Sequence, residues 1–412
     1  MGKVVKLIMV TPENNNKYYF LFEQGDGTFK VEYGRVDSTK QTTSYNMSQW
    51  DTKYREKLKK GYKDITELYA IEEDEDVDVT TPKADPTFIS NDTYVKNLIE
   101  DLQRYANKTV TQNYKVSTKN VTQKMVDEAQ LIIDKIATTY NSTYTKEDLN
   151  ALLLELFMII PRKMGNVKDY LVGETSTKDE IAKMVDSEQS VLDSLAGQVS
   201  IQAPKEKIVL LEEDKTKTVG LLDSMGIEMY HVTDENTIKM VKKLMGPSAN
   251  KFSRLFEVKN HKADKKYNDH LDKTSVKKEE LFFHGSRSEN WISILQTSLL
   301  VRPTGAILTG KMYGSGIYFS SICQKSIGYT SLSGSYWANG GNNKAYMALF
   351  KVNVGNRKIV TRHDSSCYSF DNKTIQPHDS VYAPAGYDLK NDETIVYLED
   401  KCKIQYLLEI KN

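Results

Sequence analysis

Cysteine is scarce. The chain has three, Cys323, Cys367 and Cys402, far apart and odd in number. No CxxC pair occurs, so neither a disulfide framework nor a thiolate zinc site is supported. There are six histidines and no HExxH, so a metal enzyme built on His and Cys is a poor fit. Long apolar runs are missing as well. LNALLLELFMII (149–160) is among the longest, and it contains Glu and Asn. It falls short of the ~20 residues a membrane span needs. The opening MGKVVKLIMVTPE lacks a signal-peptide apolar core and cleavage site, and MGKVVK lacks the Ser/Thr of the myristoylation pattern. These absences predict an intracellular protein with no metal and no membrane association: nuclear if eukaryotic, cytoplasmic if bacterial or viral. Net charge is absent too, with 56 basic against 56 acidic residues. That argues against binding nucleic acid through bulk charge.

Local charge is another matter. KYREKLKKGYK (53–63) carries six basic residues against one acidic, and EEDEDVD (72–78) carries six acidic ones. The acidic run leads into VTTPKADP, and charge repulsion with proline predicts an exposed linker over 72–89. At 412 residues the chain is too long for one core, so two or three domains are expected.

Residues 1–71 read as β-rich. KVVKLIMV, KYYFLFEQ and FKVEYGRV are short β-branched and aromatic runs, separated by PENNN (12–16) and QGDG (24–27), with a helix following near 51–60. From 90 to 200 the period changes. In QKMVDEAQLIIDKIA, Met125, Ala129, Ile132, Ile133 and Ile136 share one helical face. Thr145–Asp148 and Thr177–Glu180 are N-terminal capping signals, and Pro161 ends a helix. This stretch is predicted to be all-helical. IQAPKEKI (201–208) is a second candidate linker. Residues 201–412 alternate short strands with turns, among them ELFFHGS, GSGIYFSS, AYMALFKVNVG and ETIVYLED. The fold class expected is multidomain α+β, with a mostly antiparallel last domain.

Three stretches there could carry chemistry. His284 ends an apolar strand and is followed by Gly285, which allows a ligand close to the backbone, and by Ser286 and Arg287. Alone, His284 could equally be a surface histidine at a strand end. GKMYGSGIYFSSICQKSIGYT (310–330) has three glycines within seven residues, and its Tyr318 and Tyr329 are able to sandwich a flat ring or merely to half-bury in strands. It has neither the Lys-Ser/Thr of a P-loop nor a dinucleotide-fold context. In NDETIVYLED (391–400), Glu393 opens an apolar strand, where a carboxylate either pairs with a cation or does chemistry.

In this order and spacing, HGS…GSGIYFSS…KS..Y…DETIVY resembles the catalytic domain of the poly(ADP-ribose) polymerases, which transfer ADP-ribose from NAD+. The resemblance implies a catalytic triad of His284, Tyr318 and Glu393. It implies nicotinamide contacts from Gly285 and Ser326, ring stacking by Tyr329, a role for Lys325, and an adenosine side near Ser286 and Asn290. RPTGAILTG (302–310) resembles the loop covering the donor. NAD+ would be the co-substrate, and no metal is implied. FMIIPRKMG (157–165) and its helices resemble the family's helical regulatory domain, and the first domain resembles its WGR module. That module implies binding to DNA ends or nicks, with Tyr33, Arg35, Lys59 and Lys60 as candidate contacts. Protein or DNA acceptors, the chain itself included, would take the ADP-ribose.

The sequence departs from the family's pattern in three places. Tyr33-Gly34-Arg35 stands where the module has Trp-Gly-Arg. Leu300 stands at the usual donor-site arginine, with Arg302 nearby. Lys311 replaces an aromatic beside the adenosine or acceptor region. The rival expectation is a nucleic-acid-binding protein whose degenerate transferase domain only holds ligand.

Overall fold

The structure, a computed structural model, describes residues 2–36, 38–69, 88–114, 121–140, 144–202, 220–301, 312–336 and 338–412. The acidic run at 72–78, nearly all of the expected linker at 72–89, most of IQAPKEKI, and Arg302 with the 302–310 loop and Lys311 lie outside the described residues. Contacts divide the chain into two compact units. One is drawn from residues 1–77 and 108–203, the other from 78–107, 204–304 and 310–412.

The first unit opens with β1 (Val4–Thr11), β2 (Asn15–Glu23), β3 (Thr28–Arg35), β4 (Gln41–Asn46), helix α1 (Trp50–Lys59) and β5 (Lys63–Asp64). The strands form one antiparallel sheet in the order β4-β3-β2-β1-β5. Strand side chains alternate between faces. Val5 and Leu7 therefore join Tyr19, Leu21, Phe29, Val31 and Trp50 in one core. Ile8 and Val10, of the opposite parity, pack into the core of the helices that follow.

Those helices are α2 (Thr93–Asn113), α3 (Gln123–Tyr140), α4 (Lys146–Ile159) and α5 (Lys178–Gln202). The division between units falls inside α2, between Asn107 and Lys108. The five residues singled out on α3 are buried, as their spacing predicts. Both capping signals form reciprocal boxes. The Thr145 and Thr177 amides donate to Asp148 Oδ2 and Glu180 Oε2 at 2.9 and 2.8 Å, while each threonine hydroxyl accepts the N–H three residues on. Past α4, Arg162 is buried as an ion pair with Glu188 of α5 and donates to Asn113 Oδ1 at 3.2 Å.

The second unit contains α6 (Leu221–Ser224), β6 (Ile227–His231), α7 (Glu235–Met245), β7 (Phe252–Asn260), α8 (His261–Lys273), β8 (Glu279–Gly285), α9 (Trp291–Thr297), β9 (Ile317–Phe319) and α10 (Cys323–Ile327). It continues with β10 (Lys344–Asn353), β11 (Arg357–Ile359), β12 (Ser380–Ala383), β13 (Glu393–Val396) and β14 (Cys402–Lys411). They build two sheets, β6-β7-β14-β10-β8 and β11-β12-β13-β9. All named pairs are antiparallel except β11 with β12. The first half of α2 docks here. Asp101 pairs with Lys344 and accepts from the Tyr346 hydroxyl at 3.1 Å.

Two features of this unit place the site. In the larger sheet, β8 pairs with the buried β10, setting His284 opposite Ala348. In the smaller, β9 pairs with β13, setting Tyr318 opposite Ile395. The sheets meet at a bridge between Phe283 and Ser320, which exchange backbone hydrogen bonds of 2.9 and 3.2 Å.

Candidate active site

His284, Gly285, Tyr318, Lys325 and Glu393 come from the three stretches singled out in the sequence. His284 and Tyr318 meet across the bridge: His284 Nδ1 is 3.1 Å from the Tyr318 carbonyl oxygen. A carbonyl can only accept, so Nδ1 carries the proton and Nε2 presents a lone pair. Burial pushes the imidazole pKa down, which favours this neutral form.

Tyr318 is held at its other end by a turn. Its hydroxyl donates to Gly314 O at 2.8 Å and accepts from Tyr313 N–H at 3.0 Å. Gly314 has φ +75°, and a Cβ there would lie 2.0 Å from Phe370 O. Only glycine permits that turn. Burial raises the Tyr318 phenol far above its ordinary range, so it stays protonated.

Glu393 is the first residue of β13 and is 8% exposed. Its Oε1 lies 2.5 Å from Lys325 Nζ, and the same ammonium donates to the Asp392 carbonyl at 3.2 Å. Oε2 is buried with no hydrogen-bond partner among the described residues. Burial raises the Glu393 pKa, the Lys325 ammonium works against that, and the Asp392 charge adds to it. A buried carboxylate with one oxygen anchored and one unengaged is suited to meeting positive charge or a proton.

Gly285 ends β8 against α10. A Cβ on it would sit 1.9 Å from the Ser326 carbonyl oxygen, so the two backbones touch at van der Waals range. Ser326 itself is buried, at 4% exposure. Tyr329 follows α10, 36% exposed, with its phenol pushed up to about 12 by burial and by the Glu393 charge. Asn290 donates from Nδ2 to Ser286 Oγ at 3.2 Å, which links the two residues expected on the adenosine side. Leu300 is 40% exposed.

Sequence reasoning missed Tyr313, Ser320 and Asp392. Tyr313 is 1% exposed, and its phenol is pushed up to about 12 by burial and by Glu393. Ser320 Oγ donates to Asp392 Oδ1 at 3.1 Å. The signal available was proximity: Ser320 sits two residues after Tyr318, and Asp392 one before Glu393.

The residues expected to meet nucleic acid lie in the first unit. Tyr33 packs partly buried against that unit's core, its ring centroid 5.9 Å from that of Tyr19. The Arg35 guanidinium donates to Asn14 O and Oδ1 at 2.7 and 2.8 Å, and to the Met164 and Gly165 carbonyls at 3.1 and 2.9 Å. It thus ties β3 to the turn after α4. Lys59 and Lys60 are exposed at the end of α1, and Lys60 Nζ is 2.7 Å from Glu56 Oε1.

Comparison with known proteins gives the same direction. A family model for the poly(ADP-ribose) polymerase catalytic domain matches residues 233–412. The putative poly(ADP-ribose) polymerase-like protein 100L of Invertebrate iridescent virus 6 is 34% identical over 166 residues, which cover 39% of this chain and 87% of that one. The uncharacterized protein 101L of the same virus is 34% identical over 194 residues, 47% of this chain and 76% of that one. Poly(ADP-ribose) polymerase 2 of Arabidopsis thaliana is 28% identical over 168 residues, 34% of this chain and 25% of that one.

Proposed function

This chain belongs to the poly(ADP-ribose) polymerase family, and we propose from that premise that it is an NAD+-dependent ADP-ribosyltransferase. The observation that carries the reading is the Glu393 carboxylate, one oxygen held by Lys325 and the other buried without a partner among the described residues, on the strand adjacent to Tyr318. NAD+ supplies a ribose carbon bearing a good leaving group, since nicotinamide departs neutral from a cationic pyridinium.

Each residue then has a definite job. Glu393 stabilises the positive charge that develops at the ribose, as carboxylates do in glycoside hydrolysis, and takes the acceptor's proton. The Nε2 lone pair of His284 accepts from a ribose hydroxyl. Gly285, bare of a side chain, offers its backbone to the nicotinamide carboxamide, with the Ser326 hydroxyl as second partner. Tyr318 and Tyr329 stack on the pyridine ring.

The same reading assigns a regulatory role to the first unit: broken DNA binds its basic stretch, and the helical segment over 90–200 restrains the transferase until it does. The exposed Lys59 and Lys60 support the first part, since phosphate contacts dominate such affinity. The four hydrogen bonds of Arg35 support the second, because they join the β-module to the turn after α4. Acceptors are protein side chains or DNA ends.

The test is incubation of the pure protein with labelled NAD+, with and without nicked or blunt-ended DNA. DNA-dependent labelling with nicotinamide release is the expected result. A ladder means polymer and a single sharp band means single units. Label that ignores DNA ends removes the regulatory half of the proposal. No nicotinamide release under any condition removes the enzyme and leaves a ligand-binding protein.

A further inference from the structure

Immediately before Glu393 stands a second buried carboxylate that the transfer step does not use. Asp392 is 6% exposed, and its side chain accepts from Ser320 Oγ, on a residue 2% exposed and 72 positions away in sequence. Burying a carboxylate costs stability that a neutral hydroxyl partner offsets only in part.

The connections of Ser320 are unusually central. Its hydroxyl oxygen also accepts from Ile322 N–H at 3.0 Å, which closes the turn leading into α10 and therefore to Lys325. Its backbone exchanges two hydrogen bonds with Phe283, the neighbour of His284. On the other side, the Asp392 carbonyl accepts from Lys325 Nζ. One hydroxyl thus ties the end of β9, the start of α10 and the start of β13 together. Lys325 and Glu393 project from two of those three segments.

We propose that Ser320 and Asp392 are positioning residues that set Lys325 against Glu393; the inference rests on the transferase reading above. Their effects on the glutamate are of opposite sign. The hydrogen bond holds the ammonium in place and so favours the ionised carboxylate. The Asp392 charge, on the residue just before the strand, disfavours it. Among the described residues, the other groups facing Glu393 are the phenols of Tyr313, Tyr318 and Tyr329, all raised well above neutrality and uncharged there.

The test uses the full chain with Ser320→Ala, Asp392→Asn, Asp392→Ala and the double alanine variant. kcat and KM for NAD+ are measured across pH, and the Glu393 carboxyl is titrated by carbon-13 NMR, assigned with Glu393→Gln. Ser320→Ala is expected to lower kcat about tenfold, the scale of a lost buried hydrogen bond, with KM little changed. It should also move the Glu393 midpoint to higher pH. Asp392→Asn keeps a partner for the hydroxyl and removes the charge, so it should retain most of kcat and move the midpoint to lower pH. The double variant should be no slower than Asp392→Ala alone.

Shifts of the same sign, no shift, or fully additive losses overturn the proposal. If either alanine change at Asp392 yields an unfolded chain by circular dichroism, Ser320→Ala and Asp392→Asn decide alone. A wild-type protein that releases no nicotinamide defeats the transferase reading. The NMR midpoints still report the two opposite shifts in that case, so the two failures are distinguishable.

Discussion

Lys325 and Glu393 form a largely buried ion pair 2.5 Å long, between side chains 14% and 10% exposed. The pair fixes the direction of one pH effect. On the proposed reading Glu393 works as a carboxylate, so activity is expected to fall as pH drops through its pKa. Burial raises that pKa and Lys325 restrains it. Lys325→Met removes the restraint, and the acid limb of the kcat profile is expected to move to higher pH while activity at alkaline pH is better preserved. A profile superimposable on the wild type would show that the ammonium does not govern the glutamate.

Glu393→Gln keeps the shape and removes the charge. NAD+ binding should survive within a few-fold. Transfer should fall by about 10²–10³, the scale seen when one electrostatic group is removed from a preorganised site. Calorimetric binding together with nicotinamide release measures both. Undiminished release would end the role assigned to this residue.

Gly285 has no room for even a methyl group, since a Cβ would meet the Ser326 carbonyl at 1.9 Å. Backbone meets backbone there, so no side chain can turn aside. Gly285→Ala should separate β8 from α10, abolish detectable NAD+ binding, and cost about 1–3 kcal/mol or more from overpacking. Thermal unfolding with an NAD+ titration checks both. Full binding in the alanine variant would mean the contact relaxes freely.

In the first unit, Arg35 and the two lysines should separate by phenotype. Arg35→Ala removes four hydrogen bonds within the chain. It should lower stability by about 1–3 kcal/mol. It should also speed exchange at the Val167 amide, which donates to Asn14 Oδ1 at 3.0 Å. Lys59→Gln with Lys60→Gln should cost at most about 0.5 kcal/mol of stability, weaken DNA binding, and flatten its salt dependence by about two units of slope. DNA affinity unchanged by the lysine pair would move the binding surface elsewhere.

What the sequence made legible follows contact range. The α3 stripe and the two threonine caps depend on residues three or four apart, and the structure has them where the spacing puts them. The strands carrying His284, Tyr318 and Glu393 were readable because each is an apolar run beside a turn. β11 is as short as β9 but opens with two cations, Arg357 and Lys358, so it offers no apolar run to read. The Met164 and Gly165 carbonyls that Arg35 meets lie 129 and 130 positions away, and the Ser320 partner of Asp392 lies 72 away. No local period encodes such pairs. The arginine was visible as a residue type, while its hydrogen bonds into the turn after α4 were not.

The bridge between Phe283 and Ser320 has a mechanical consequence. It lies one residue from His284 and two from Tyr318, where the larger and smaller sheets of the second unit meet. If the sheets rock against each other, this point is the fulcrum and travels least. His284 and Tyr318 would then keep their register while more distant parts of the two sheets move. On the transferase reading, the groups assigned to the chemistry would then sit on the hinge pin.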